Sequence, residues 1–184
     1  MDDIAFFIAG GTLVAAVAFA IKRLGADGGG ADWMWGWACL IGAGLDAIYM
    51  PIGNILNVLS PAFDTLFAAF LLTGTLRYVG RTSAITAVWV GTIAVIAVRC
   101  TVQPFYGTVL GTSTATILIS FSALTSATLM YNYGSLFETS AARLLSIAFT
   151  LPVLAQFYFA YTNITGNSLS PAFFVWLMTS TVLA

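Results

Sequence analysis

The chain has 184 residues, 60% of them hydrophobic and 7% charged, with a formal net charge of -1. Water-soluble domains carry about 25% charged residues, so there is too little polar surface here to cover a soluble globule, and no basic excess points to nucleic acid. Histidine is absent altogether, which removes the commonest metal ligand and general base.

A membrane-spanning helix needs about 20 apolar residues. On that measure the sequence predicts an all-α bundle of about seven transmembrane helices, at residues 4-22, 32-53, 61-79, 83-103, 107-131, 142-162 and 169-184. The first run follows Asp2 and Asp3 rather than a basic segment and is therefore a retained span, not a signal peptide. Gly25 to Asp32 forms the first loop; Pro51 to Asn54 and Ser60-Pro61 bracket the second; Pro104 to Gly107 marks the fourth and Asn163 to Pro171 the sixth. Trp33, Trp35 and Trp37 open span two as an interfacial aromatic anchor. Gly107 and Gly111 make a GxxxG spacing at the start of span five, which is rich in Ser and Thr and suits close packing in the bundle or at a dimer seam. Pro152 kinks span six. The seventh run stops at Ala184 after 16 residues, shorter than a full crossing, so the expectation is a longer protein that continues into a cytoplasmic domain.

Basic residues orient the spans. Lys22, Arg23, Arg77, Arg81 and Arg143 fall on one side of the seven-span arrangement and Arg99 near the other. The positive-inside rule makes the first side cytoplasmic, with the N-terminus outside and the C-terminus inside a bacterial inner membrane.

Charged groups within spans are costly, about 2.5-3.5 kcal/mol each on insertion scales, and they mark functional sites. Asp46, Asp64 and Arg99 all fall in the outer half of the layer. Asp46 and Arg99 are at similar depth and could pair; Arg99 could instead snorkel to the headgroups, and Asp64 could cap a helix beginning at Pro61. Tyr49 shares a helical face with Asp46, and Gln103 with Arg99. Gln156 and Tyr158 lie near the outer end of span six. Asp46, Tyr49, Arg99, Gln103, Gln156 and Tyr158 are therefore the candidate lining of a pocket open to the outside. Catalytic residues and a metal cluster are not expected, because no Ser/His/Asp set, CxxC pair or phosphate loop occurs; the cofactor is unknown. Cys39 and Cys100 both sit in apolar runs and read as core residues.

The run Leu66-Phe67-Ala68-Ala69-Phe70-Leu71-Leu72-Thr73-Gly74-Thr75-Leu76-Arg77-Tyr78-Val79-Gly80-Arg81 resembles the third-span signature of multi-span sensor regions. Those regions precede diguanylate cyclase or histidine kinase domains in bacterial signalling proteins. The resemblance implies an input domain, dimeric, whose effector follows the last span. The expected partners are membrane lipids, a small or lipid-like ligand and a second copy of the chain, not nucleic acid. A small seven-helix transporter or channel is the alternative, weakened by the lack of an internal repeat. A retinal photoreceptor would need a lysine in span seven, and the only lysine is Lys22.

Overall fold

The computed structural model describes residues 29-49, 54-138, 140, 142-147, 149, 150, 153 and 157. Side chains are described for 29-39, 61-102 and the described positions from 113 onwards. The predicted first and seventh spans, and most of the sixth, lie outside these residues. Among the described residues there is no strand. Three long helices are seen: α1 over Gly30–Tyr49, α2 over Asn54–Tyr78 and α3 over Ile85–Leu136, with a short 3-10 turn at Thr82–Ala84.

Helix α1 runs antiparallel to α2. The Trp33 indole N–H donates to the Leu71 carbonyl at 3.2 Å, and the Trp37 ring meets Phe67 with centroids 5.7 Å apart. Gly29 and Gly74 allow the two backbones to approach: a Cβ on Gly74 would stand 2.9 Å from the Gly29 carbonyl oxygen and would overlap the Trp33 ring. At this end Arg77 Nε donates to Asp32 at 2.8 Å. Asp32 lies in the first turn of α1 and Arg77 in the last turn of α2, so each charge also complements its own helix dipole. The pair is partly exposed and contributes at most about 1 kcal/mol.

The tryptophans divide by helical phase. Trp33 is buried, Trp37 is half-buried, and Trp35, on the opposite side, is exposed. Trp33 is thus a packing residue rather than a free interfacial anchor.

Helix α2 begins seven residues earlier than the sequence reading placed it. Pro61 lies inside the helix, and Asp64 is not in its first turn. The capping role for Asp64 is therefore overturned, because a cap acts only on the unpaired N–H groups of the first turn. The helix ends at a glycine turn. Gly80 has φ +75°, Arg81 N–H donates to the Leu76 carbonyl at 2.8 Å and Gly80 N–H to the Arg77 carbonyl at 3.0 Å. These two bonds make a Schellman ending, in which the positive φ favours glycine. Gly80→Ala is expected to lower stability by about 1 kcal/mol, read from thermal unfolding of the purified protein in detergent.

Helix α3 cannot be straight. The Trp89 ring packs on Phe70 with centroids 5.0 Å apart, and the Tyr133 ring packs on Tyr78 at 5.6 Å. Phe70 and Tyr78 are separated by about 12 Å along α2, whereas Trp89 and Tyr133 would be about 66 Å apart in a straight helix. The chain therefore doubles back between two apolar limbs, Thr82–Val102 and Ser113–Leu136. The loop expected at Pro104 to Gly107 is instead helical backbone, and Pro104, Gly107 and Gly111 all fall within the stretch that reverses direction.

The second limb is central, about half of it buried, and the first is peripheral, 17% buried. Ile119, Ala123, Ala127 and Met130 join Trp33, Phe67 and Leu71 in one core. Ala142, Phe149 and Val153, from the helical residues that follow α3, complete it. Phe149 meets the Trp33 ring edge-on at 5.6 Å. The second limb thus packs inside the bundle on one face, as its small and hydroxylated residues predict.

Candidate functional site

The first limb of α3 buries two polar residues and exposes large apolar ones. Its buried side chains are Thr92 and Arg99, while Val90, Ile93 and Val98 are each about 60% exposed or more. A helix packed against a protein in water shows the reverse pattern. Thr92 needs no outside partner, because its hydroxyl donates to the Val88 carbonyl one turn back at 2.7 Å. Thr75, Thr101 and Thr128 make the same bond to Leu71, Ala97 and Leu124. This back-bonding satisfies a hydroxyl within its own helix.

Arg99 reaches sideways into α2. One terminal nitrogen, Nη1, donates to the Pro61 carbonyl and to Thr65 Oγ1, both at 2.9 Å. Thr65 Oγ1 in turn donates to the Pro61 carbonyl at 2.6 Å. The hydroxyl's single proton is spent on that carbonyl, so its lone pairs are what the guanidinium N–H meets. The other terminal nitrogen, Nη2, lies 3.7 Å from the Asp64 carboxylate. Pro61, Asp64 and Thr65 are spaced i, i+3, i+4, which puts all three on one face of α2. The cation is 6% exposed and Asp64 19%, so the carboxylate is the more open member of the pair.

The arrangement joins α2 to the first limb of α3 by a charge-balanced, hydrogen-bonded contact. A buried charge held this way resists removal of either partner. Arg99 is folded inward onto α2. The site lies in the half of α2 away from Arg77, about 20 Å from it along the helix, measured from Asp64.

Of the six expected pocket residues, Arg99 is the one whose side chain is described. Asp46 and Tyr49 are on α1 and Gln103 on α3, helical in backbone, with side chains outside the described residues. Gln156, Tyr158 and Pro152 lie outside them entirely. The partners that sequence reasoning missed are Thr65 and the Pro61 carbonyl. The sequence offered little signal for them, because Pro61 reads as the start of a helix and so places no hydroxyl one turn inside it. Neither Cys39, which is buried, nor Cys100, which is half-buried, is in a disulfide.

Comparison with protein-family models, with curated proteins and with solved structures returns no match. What the described residues define is an all-helical bundle with two segments, Thr82–Val102 and Ser113–Leu136, long and apolar enough to cross a membrane.

Proposed function

We propose that this chain is the membrane-embedded sensory input domain of a signalling protein, with about seven spans, its N-terminus outside and its C-terminus in the cytoplasm. In this reading a small or lipid-like ligand enters the outer half of the bundle between spans two, four and six. Asp46, Tyr49, Arg99, Gln103, Gln156 and Tyr158 line its path. Two copies of the chain work together, and a cytoplasmic effector receives the output.

The observation that carries the reading is the Arg99 contact with Pro61, Thr65 and Asp64. It places a buried cation and its partners at one end of the bundle, with Arg77 and Arg81 at the other. Intramembrane charge that is partnered and faces the bundle interior marks a functional site. The wide apolar exposure of Ile93, Ile117, Phe121 and Ile147 supports lipid surroundings. A ligand that favours one arrangement of α2 against the first limb of α3 would shift the population of bundle packings, and a neighbouring span would carry the shift inward.

Two measurements test this. In a cysteine-free background, Ser83→Cys in the turn between α2 and α3 should react with an impermeant maleimide only after cells are opened. Labelling in intact cells would reverse the orientation and close the proposed entry. The purified chain should also gain thermal stability from a component of a cell lipid extract or a solute panel, and Arg99→Gln should reduce that gain. Uptake of a labelled solute into liposomes holding only this chain would replace sensing with transport.

A further inference from the structure

We propose that the arginine-bearing end of the bundle binds an anionic phospholipid, its phosphate between Arg81 and Arg143 and one acyl chain along Leu144 and Ile147. The proposal rests on the membrane reading above and adds a lipid site on the opposite end from the Arg99 contact.

Register places the two arginines at one level along the bundle. Phe149 packs on Trp33, and Trp33 bonds the Leu71 carbonyl. Arg143 is six residues before Phe149, about 9 Å along a helix. The same rise from Leu71 along α2 reaches Arg77, so Arg143 stands at the level where α2 ends and Arg81 follows the glycine turn. Both Arg81 and Arg143 are exposed. Arg77 is already engaged with Asp32, which matches that carboxylate's charge. Among the described residues at this end, Glu138 is the one remaining acid, so the surface is net positive.

The second feature is apolar and adjoins the first. Residues 142-147 are helical, and Ile147 is four residues after Arg143, on the same face. Ile147 is 63% exposed, and Leu144 beside it 56%. A cation above an exposed aliphatic track suits a molecule with a charged head and a hydrocarbon tail. A free phosphate would use only the upper half. Phe137, exposed and stacked near Tyr133 at 4.6 Å, adds the aromatic character of a headgroup layer.

The test compares phosphatidylglycerol, phosphatidylcholine with the same acyl chains, and inorganic phosphate on the purified full chain, by native mass spectrometry and thermal unfolding. Each arginine near an anionic headgroup contributes about fivefold in affinity. Phosphatidylglycerol should therefore bind well over tenfold more tightly than phosphatidylcholine, and added salt should narrow the gap. Arg81→Gln with Arg143→Gln should bring the two lipids close to parity, whereas Arg81→Lys with Arg143→Lys should keep most of the preference. Equal binding of both lipids by the unaltered chain would overturn the site, as would an undiminished preference in the glutamine variant or equal stabilisation by inorganic phosphate. A chain that stays folded and monodisperse in phosphatidylcholine nanodiscs but shows no preference loses only this site. One that cannot be held in any lipid disc loses the membrane reading and this proposal with it.

Discussion

Arg99→Leu should destabilise the folded chain by about 3-5 kcal/mol, the cost of removing one member of a buried ion pair. Three groups would each lose a contact at once. The Pro61 carbonyl and Thr65 hydroxyl lose their guanidinium donor, and the Asp64 carboxylate loses its counter-charge. Part of the loss comes from that carboxylate alone, so Asp64→Leu in the same chain should recover a substantial fraction. The double variant should be less destabilised than the sum of the two single ones, because residues in one contact do not add. Arg99→Lys should fall between, since an ammonium keeps the charge but has one nitrogen, where the guanidinium sets one on Pro61 and Thr65 and a second beside Asp64. The check is a double-mutant cycle by reversible unfolding in detergent. Strictly additive losses at Arg99 and Asp64 would mean that the two charges act independently, and the proposed pocket would lose its anchor.

Gly74→Ala is the second large effect, expected at about 1-3 kcal/mol. The added methyl would run into the Trp33 ring and stand 2.9 Å from the Gly29 carbonyl oxygen. The ring cannot simply swing away, because its N–H is bonded to Leu71 and its faces meet Tyr78 and Phe149. The backbone of Gly29 is no softer, since its carbonyl accepts the Trp33 N–H at 3.1 Å. The methyl therefore pushes α1 away from α2 and loosens Asp32 from Arg77. Gly91→Ala provides the contrast. A Cβ there has nothing within 4 Å, and alanine is the better helix former by about 1 kcal/mol, so that change should leave stability unchanged or raise it. Equal responses at the two glycines, in the same unfolding assay, would show that α1 and α2 do not approach as closely as their backbones indicate.

Much of the fold was legible from the chain alone. The apolar runs located the helices: the span read at 83-103 agrees with the first apolar limb to one residue at each end, and the span read at 107-131 overlaps the second but is shifted by five or six residues at each boundary. The third span, read to 79, ends where α2 does, at Tyr78, and Gly80 supplies the turn that follows. The hydroxyl-rich second limb read as a packing surface, and it is one. Other features were not legible. Pro61 read as the start of a helix, but α2 reaches back to Asn54 and carries the proline within it. Pro104 read as a loop, but the backbone bends there without leaving the helical state. A proline disfavours helix in both cases; at Pro61 the contacts with Thr65 and Arg99 hold its carbonyl within the helix.

What the sequence determined by itself is the material and the ends: apolar helices of membrane-spanning length, few charges, and arginines gathered where α2 stops. Those are properties of composition and spacing, and each is readable from residues within a few turns of one another. The tertiary structure alone decided what Arg99 touches, that Trp33 is buried while Trp35 is not, and that Gly29 meets Gly74. Arg99 and Pro61 are 38 residues apart, as are Trp33 and Leu71. Such contacts depend on how each helix is rotated about its axis, and a helix that is apolar on nearly every side carries no stripe to announce that rotation.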